Sequence, residues 1–483
     1  MTKMTLNLTL LFLLLFSLFS TKTQAQDRNY NISISVKGME NKIGILAYYY
    51  SDKRYVKDTI YFNEKGVADI KGKKNIPSGV YLIAFPSMRY NSFDIIINEN
   101  DFSLATDTFN LVKNMTVKNS SENKEMYEDM SFMLPLGQTN DALMKKIKTL
   151  QKEDPEFIKT VNEAEKINDD ILKHRRQLAK KYPANFYTKL INIMLDIEVP
   201  EAPRNPDGSL IDTFYNFHYT QGHYFDNIDF SDSGYIRSPV FQNRLLKYFD
   251  NYTFPQPDSI IKNIDYIISK AKVNPEMYQF CVNELFLKYA KSEIMGQDAI
   301  YVYMADKYFL SGLAWWADPS KLKELKERIE SIKPTLIGKP APNFYVQDTL
   351  GKSFLFHDFV PKNRYTILVF WNSDCGHCQK EIPLLKNIYQ DSLRDMGVRV
   401  FSVSTEQTDS TFRAFAAKNC ANDWIVCADM RGASAFRKEY DIIATPKLFV
   451  ITQDYKIIAK NIPVEKLADF IKFEEELRKK KER

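Results

Sequence analysis

The feature that most constrains the fold of this 483-residue chain is a strand-like apolar run leading directly to a pair of cysteines. Residues 365–371, Tyr-Thr-Ile-Leu-Val-Phe-Trp, are almost continuously apolar, which is typical of a central strand covered on both faces. Cys375 and Cys378 follow, separated by Gly376 and His377. Strand-like and helix-like segments alternate throughout this C-terminal part of the chain. The pattern predicts an α/β domain built from βαβ units.

The spacing of the two cysteines indicates dithiol chemistry. A Cys-x-x-Cys pair that opens a helix behind a strand is a redox signature. Free backbone N–H groups and the helix dipole at a helix N-terminus favour the thiolate of Cys375, and His377 adds positive charge beside it. Cys378 follows one turn later on the same face, within reach for a disulfide. We therefore expect Cys375 to attack a substrate disulfide and Cys378 to resolve the mixed disulfide.

Other roles for the pair fit the sequence less well. Zinc requires about four ligands, and the sequence has no second Cys-x-x-Cys or histidine cluster to complete the set. Covalent haem requires Cys-x-x-Cys-His, but Gln379 occupies the histidine position. A structural disulfide across two residues would restrain very little of the unfolded chain. The sequence thus predicts a redox-active dithiol that uses neither a metal nor another cofactor.

The surroundings of the dithiol resemble the thioredoxin superfamily. The matching residues are Trp371 to Cys378, Pro383 five positions beyond the second cysteine, and Thr445-Pro446 ahead of an apolar strand. The runs 337–344, Ile-Gly-Lys-Pro-Ala-Pro-Asn-Phe, and 380–383, Lys-Glu-Ile-Pro, are similar to its exported TlpA/ResA-like branch. The resemblance implies a thioredoxin-like domain at residues 337–476 that acts as a thiol–disulfide oxidoreductase of the protein-disulfide reductase type.

The resemblance also assigns roles to residues outside the dithiol. It implies that Pro446 is a cis-proline facing the cysteines, and that Thr445 and Pro446 bind an extended substrate segment. Trp371 belongs to the same matching motif and is included among the candidate catalytic residues. We expect client proteins with thiols or disulfides as partners, and a membrane electron donor that keeps the dithiol reduced.

One position departs from thioredoxin itself. Thioredoxin has a buried aspartate on the strand before its motif, and the matching residue here is Val369. Glu381, three residues past Cys378, instead matches the acidic residue of the ResA-like branch. It either assists proton movement from Cys378 or complements the helix dipole. Glu381 and Asp374 counteract the effect of His377 on the thiolate, so we expect an intermediate redox potential.

The pattern changes twice in the chain before this domain. Residues 28–110 contain alternating runs such as 31–36, Asn-Ile-Ser-Ile-Ser-Val, between turn residues, which predicts a small antiparallel β-sandwich. Residues 118–334 carry apolar side chains at three- and four-residue intervals, which predicts an all-α domain. Within it we expect separate helices at Glu122 to Met133 and at Asp141 to Lys152. The predicted fold is therefore multidomain, with no catalytic cluster in the β-rich domain.

The N-terminus has the order of a secretory signal. Lys3 precedes an apolar run from Leu6 to Phe19, and small residues stand at Thr23 and Ala25. We predict a signal peptide at residues 1–25 and a mature protein in the periplasm, within the cell envelope. The apolar run is short for a membrane-spanning helix, which needs about 20 residues. An uncleaved N-terminal anchor is the alternative.

The remaining cysteines and histidines carry weaker signals. Five cysteines are too few for a disulfide-stapled scaffold of this length. Cys281, Cys420 and Cys427 are therefore interpreted as buried thiols, with a disulfide between the last two as the alternative. His218 and His223 are five residues apart, which does not place two imidazoles on one helix face. We predict an aromatic patch there and no metal site.

Composition narrows the range of functions further. The formal charge is only +5, and the single basic block, at residues 479–481, is typical of a solvated helix end, so no nucleic-acid partner is expected. A thiol peroxidase of the same fold is one alternative, but Asn372-Ser373-Asp374-Cys375 lacks the expected Thr-x-x-Cys context. A partner-binding envelope protein that carries a passenger thioredoxin domain is another. The intact dithiol and Thr445-Pro446 favour the oxidoreductase.

Overall fold

The computed structural model describes residues 29–481, except 75, 90, 349, 407, 408 and 431. The chain forms two compact units, divided between Tyr252 and Thr253. The predicted signal peptide lies outside the described residues. The division falls within the region predicted as one helical domain, so part of that region folds with the strands before it. The rest folds with the α/β domain that follows.

The first unit begins with two four-stranded sheets, ordered β4-β1-β7-β8 and β3-β2-β5-β6. The strands are β1 Tyr30–Lys37, β2 Ile43–Tyr50, β3 Lys53–Tyr61, β4 Val67–Gly72, β5 Gly79–Phe85, β6 Asn91–Ile97, β7 Asp101–Asp107 and β8 Thr116–Lys118. Alternation determines which face is buried: Ile32, Ile34 and Val36 of β1 are fully buried, whereas Ser33 and Ser35 are partly exposed. The prediction of a strand-rich N-terminal domain is confirmed.

One strand pair differs from the antiparallel arrangement that the sequence suggested. Strands β1 and β7 run parallel, with Ile32 opposite Phe102 and Ile34 opposite Leu104. Parallel neighbours need a long connection, and five other strands separate this pair along the chain. Local turn residues, on which the antiparallel prediction depended, carry no information about a pairing over that distance.

The helices of the first unit follow the strands. They are Ser121–Ile147, Pro155–Lys181, Phe186–Met194, Tyr215–His223 and Pro239–Asn251. The first replaces the two separate helices predicted at Glu122 to Met133 and Asp141 to Lys152, so that prediction was wrong. Pro135 lies inside this helix and has no N–H to donate to the carbonyl four residues earlier, and the Thr139 hydroxyl donates to the Pro135 carbonyl at 3.1 Å. The helix continues through Pro135, which lies between the two predicted segments.

Carboxylates are buried where this first helix meets Phe186–Met194. Both oxygens of Glu122 accept hydrogen bonds from the N–H groups of Phe186 and Tyr187, at 2.8 and 2.9 Å, and so cap the shorter helix. Glu125 accepts hydrogen bonds from Thr188 and from Asn185. It is completely buried, and this burial, with repulsion from neighbouring carboxylates, raises its pKa to about 7.

The second unit contains both helices and a sheet. Its longer helices are Pro257–Ala271, Pro275–Ala290, Asp298–Met304, Pro319–Ile332, Cys378–Ile388, Asp409–Asn419 and Leu467–Lys481, with short helices at Phe356–Phe359 and Phe436–Glu439. Its strands are β9 Tyr345–Asp348, β10 Ser353–Leu355, β11 Tyr365–Trp371, β12 Val398–Ser404, β13 Ile425–Ala428, β14 Lys447–Thr452 and β15 Ile457–Lys460. Several helices begin with proline, whose missing N–H would lack a helical partner at that position anyway.

The seven strands form one sheet ordered β10-β9-β13-β12-β11-β14-β15, with β11 parallel to β12 and antiparallel to β14. Every residue of β11 is buried. Ile367, Val369 and Trp371 contribute to a core on one face, whereas Leu368 and Phe370 contribute to a core on the other. The C-terminal domain therefore has the predicted thioredoxin-like α/β architecture, with the central strand where the sequence placed it.

Among the residues that the structure describes, no helix has the length and apolar character required to cross a bilayer.

The buried Glu125 predicts a pH-dependent stability of the first unit. Its carboxyl stays protonated in the folded chain up to about pH 7, whereas an ordinary glutamate ionises near 4.5. The free energy of unfolding is therefore greatest below the ordinary value of 4.5. It falls by about 3 kcal/mol as the pH rises from there past the raised value of about 7. Amide exchange in the helix Phe186–Met194, measured at about pH 5 and about pH 8 and corrected for intrinsic rates, reports this loss.

Substitution Glu125→Gln should flatten this pH dependence whatever its effect on absolute stability. The matched control is Glu128→Gln, on the same helix, because Glu128 lies at the surface and pairs with Lys181. In the control, stability should depend on pH as it does in the wild type. If the pH dependence of stability in Glu125→Gln is also unchanged, a group other than Glu125 is responsible for it.

Candidate active site

The dithiol lies at the carboxyl end of β11. The strand ends at Trp371, a turn follows, and the next helix begins at Cys378. The sequence predicted that Cys375 opens this helix, but the structure places Cys375 three residues ahead of it. Cys375 is still tied to the first turn, because its carbonyl accepts a hydrogen bond from Gln379 at 3.0 Å. The turn leaves Cys375 partly accessible and carries Cys378 into the core.

Two backbone groups contact the sulfur of Cys375. The N–H of Cys378, the first residue of the helix, lies 3.5 Å from Sγ and can donate to it. The carbonyl of Thr445 lies 3.1 Å away and accepts a hydrogen bond from the thiol. The sulfur thus has an acceptor for its proton when neutral and a donor when ionised.

The two thiols ionise at different pH values. Burial opposes ionisation of Cys375, but hydrogen bonds from the N–H and the thiol of Cys378 outweigh it, so the pKa of Cys375 lies below its usual value. Burial raises the pKa of Cys378 to about 11. Near neutral pH, Cys375 is therefore the better source of thiolate, and Cys378 stays protonated.

The loop that faces the dithiol contains a cis peptide bond between Thr445 and Pro446. This geometry agrees with the prediction for Pro446. Both residues are partly exposed, and the Thr445 carbonyl points at Cys375. The structure therefore brings together the two cysteines and the two residues predicted to bind substrate.

A cavity of about 400 Å³ opens beside these residues. Its lining includes His377, Glu381, Thr445, Pro446, Leu448 and Pro463. His377 is exposed at its edge, and Glu381 is partly buried. Burial, with repulsion from Glu465, raises the pKa of Glu381, and the charge of His377 opposes this rise. Glu381 therefore exchanges its proton closer to neutral pH than an ordinary glutamate does.

Trp371 does not reach the surface of the site. Its side chain is completely buried, and its indole N–H donates to Ser402 Oγ at 2.7 Å. Its ring lies 4.8 Å from that of Phe415, centroid to centroid. Trp371 therefore supports the end of β11 from the core and has no surface available to a protein substrate. Val369 is likewise a core residue.

A residue that the sequence analysis missed anchors the turn before Cys375. Glu406 is almost fully buried, and its carboxylate accepts hydrogen bonds from both the backbone N–H and the hydroxyl of Ser373. Gln379 closes the same turn by donating to the Ser373 carbonyl at 2.9 Å. The sequence did contain a signal for this role, because Glu406 lies two positions after the end of β12. Strands β11 and β12 are parallel, so the residues that follow them, Glu406 and the turn with Ser373, lie at the same edge of the sheet.

None of the other three thiols lines the cavity beside the dithiol. Cys281, Cys420 and Cys427 are buried and free, so no disulfide joins the last two in this structure. Burial raises the pKa of all three, that of Cys420 to about 11, which makes them poor nucleophiles at neutral pH.

The two histidines of the aromatic run each pair with a carboxylate. His218 Nδ1 lies 2.6 Å from Asp212, and His223 Nδ1 lies 2.6 Å from Asp226. Their rings contact aromatic neighbours, including Tyr219 against His223. Across the described ranges, no three His, Cys, Asp or Glu residues are grouped so as to hold a metal ion.

Comparison with family models gives two matches. The model described as the AhpC/TSA family matches residues 337–460, which include the dithiol and the Thr445–Pro446 loop. A model described only as a domain of unknown function, DUF5106, matches residues 196–333.

Curated relatives match the C-terminal part of the chain. The thiol-disulfide oxidoreductase ResA of Bacillus thuringiensis subsp. konkukian is 34% identical over 122 residues, which are 25% of this chain and 67% of that protein. ResA of Bacillus anthracis is 31% identical over 132 residues, 26% of this chain and 69% of that protein.

Solved structures give further similarities. A domain of a possible thiol-disulfide isomerase from Cytophaga hutchinsonii is 37% identical, with a TM-score of 0.28 over 30% of this chain and 97% of that chain. A thioredoxin-like protein from Bacteroides caccae is 18% identical, with a TM-score of 0.45 over 57% of this chain and 99% of that chain.

The difference between the two thiols predicts selective alkylation. At neutral pH, iodoacetamide should modify Cys375 first in the reduced full-length chain, because Cys375 alone of the two combines exposure with a lowered pKa. Peptide mass spectrometry identifies the modified residue, and the pH dependence of the rate gives its pKa, expected below the usual cysteine value of about 8.5. Cys420→Ser should leave the profile unchanged. Initial labelling of Cys378, or a midpoint above the usual value, would contradict the assignment.

Proposed function

The chain belongs to the ResA family of thiol–disulfide oxidoreductases, and from that membership we propose that it is an exported reductase of protein disulfides working through Cys375 and Cys378. The observation that carries the proposal is the paired geometry of the two thiols. The Cys375 sulfur is partly accessible and has a lowered pKa, whereas Cys378, three residues later at the start of the helix, is buried and has a raised pKa. This asymmetry suits a nucleophile and a resolving thiol.

The reaction transfers two electrons to the client. The Cys375 thiolate attacks one sulfur of the client disulfide, the client S–S bond breaks, and the departing client thiolate takes up a proton. Cys378 then loses its proton and attacks Cys375 Sγ, which releases the second client thiol. The products are the reduced client and a Cys375–Cys378 disulfide, which an electron donor must reduce before the next cycle.

The Thr445–Pro446 loop supplies the binding surface for the client. The carbonyl of Thr445 already accepts a hydrogen bond from Cys375, so a substrate backbone held against the same loop would place its disulfide next to the nucleophile. The cavity of about 400 Å³ beside Pro446 provides room for side chains of such an extended segment. The imidazole of His377 lies at the edge of the same cavity.

Glu381 is proposed as the proton acceptor for the resolving step. Cys378 has a pKa raised by burial and cannot attack until it is deprotonated. Glu381 lies one turn further along the same helix, and its raised pKa lets it exchange protons nearer neutrality. The alternative role of Glu381 is to complement the helix dipole in the first turn, and that role would not require a raised pKa.

Location and domain organisation complete the proposal. The signal sequence at residues 1–25 directs the mature protein to the periplasm, where a membrane electron donor recycles the dithiol. The β-rich residues 28–110 and the helical residues 118–334 precede the catalytic domain at 337–476, and the helical residues from 253 onward fold in the same unit as that domain. Support for export comes from the charged, apolar and small-residue order at the N-terminus.

Insulin reduction in the presence of a small thiol tests the proposal. The full-length chain should reduce insulin, and Cys375→Ser should abolish the activity because it removes the nucleophile. Cys378→Ser should instead accumulate a mixed disulfide with a client, detectable as an added mass that a reductant removes. Cys420→Ser is the matched control, a buried thiol outside the dithiol, and should keep wild-type activity.

A peroxide-consumption assay separates this function from that of a thiol peroxidase. Wild-type protein should consume hydrogen peroxide no faster than the Cys375→Ser variant does. Rapid peroxide consumption together with slow insulin reduction would overturn the proposed function.

A further inference from the structure

Charged residues hold the loop that contains Thr445 and Pro446 at both of its ends. Asp441 precedes the loop, and Lys447, the first residue of β14, directly follows Pro446. The Lys447 ammonium donates to Asp441 Oδ2 at 3.0 Å and also to the Asp441 carbonyl. The Lys447 and Asp441 side chains are only 14% and 9% exposed, so this ion pair is largely shielded from solvent. The ion pair therefore joins the residue before the loop to the residue after it.

The same carboxylate receives a second cation from a helix outside the thioredoxin-like fold. Arg328, on the helix Pro319–Ile332, contacts Asp441 Oδ1, the oxygen that Lys447 does not use. Asp441 has a φ of 52°, a left-handed backbone conformation that is uncommon for residues other than glycine, although aspartate adopts it more readily than most. Arg328 and Lys447 thus fix a residue whose backbone orients the loop.

A second contact holds the neighbouring strand. Lys460, the last residue of β15, donates to Asp298 at the start of the helix Asp298–Met304 and to the Thr335 carbonyl at 2.9 Å. Strands β14 and β15 are antiparallel, so Lys447 and Lys460 lie at the same end of the hairpin. Helical residues therefore contact the hairpin at the end that carries Pro446.

We propose that Arg328 and Asp298 are positioning residues for disulfide reduction, through which residues 257–335 hold the Thr445–Pro446 loop against Cys375. The inference rests on the proposed function and assigns part of it to a segment outside residues 337–476. Thr445 is the link, because its carbonyl lies 3.1 Å from the Cys375 sulfur. A loop that shifts would misalign the bound client segment but leave the hydrogen bond from Cys378 to Cys375 intact.

This arrangement predicts different effects on two reactions of Cys375. Alkylation by iodoacetamide needs only the thiolate, which the Cys378 N–H stabilises. Insulin reduction also needs a substrate segment aligned by the loop. Loss of a positioning residue should therefore lower insulin reduction selectively, whereas general damage to the domain would lower both reactions.

The test uses the full-length chain with Arg328→Met, which removes the charge and keeps an unbranched side chain. We expect kcat/KM for insulin to fall about tenfold, mainly through KM, with the alkylation rate of Cys375 within about twofold of wild type. Arg328→Lys keeps the charge and should restore most of the activity. Lys333→Met is the matched control, because Lys333 forms an exposed ion pair with Asp306 beside the same helix.

Each outcome bears on the inference. Wild-type insulin kinetics in Arg328→Met would overturn it, as would an equal loss of insulin reduction in Lys333→Met or a parallel loss of alkylation. If Arg328→Met does not fold, Asp298→Asn carries the same test, because it removes the charge that holds Lys460 and preserves the side-chain shape. If the wild-type chain fails to reduce insulin, the proposed function is wrong. If only the variants behave otherwise than expected, the positioning role of Arg328 and Asp298 is wrong.

Discussion

The sulfur of Cys375 lies between two backbone groups of opposite polarity, the N–H of Cys378 and the carbonyl of Thr445. The first stabilises the thiolate, and the second accepts the proton of the thiol, so the sulfur has a partner in either state. This position depends on separate parts of the domain, because one partner belongs to the helix behind β11 and the other to the loop before β14. The alignment of a client disulfide with the sulfur therefore depends on how firmly these two segments are held.

Buried charges hold both segments. Glu406 accepts two hydrogen bonds from Ser373 and so fixes the turn that leads to Cys375. On the opposite side, Lys447 closes the Thr445–Pro446 loop onto Asp441. Buried carboxylates and ammonium groups are costly unless they are paired, so each defines a narrow range of allowed geometries around the sulfur. Trp371 packs in the core and supports the end of the central strand.

The sequence predicted the parts of the site that depend on local spacing. The dithiol and the strand before it were identified in this way, whereas the Thr445–Pro446 loop was identified through the resemblance to the thioredoxin superfamily. Apolar periodicity predicted separate helices at residues 122–133 and 141–152, but the structure has one helix that runs through Pro135. The linking residues 134–140 are exposed or only half-buried, so they carry no apolar pattern that would reveal the continuity. Glu406 and Asp441 escaped notice because their partners are distant: Ser373 lies 33 residues from Glu406, and Arg328 lies 113 residues from Asp441. Tertiary structure alone brings such pairs together.

The redox potential of the Cys375–Cys378 couple, measured by equilibration with glutathione, tests the central claim that this dithiol serves as a reductase. Gly376 and His377 between the cysteines match protein disulfide isomerase, at about −180 mV, whereas Asp374 and Glu381 favour a more reducing value, towards the thioredoxin value of about −270 mV. We expect a potential between these two, and a lower one in His377→Pro, which removes the imidazole side chain beside the thiolate. A wild-type potential near −120 mV, typical of a strong periplasmic oxidant, would contradict the account.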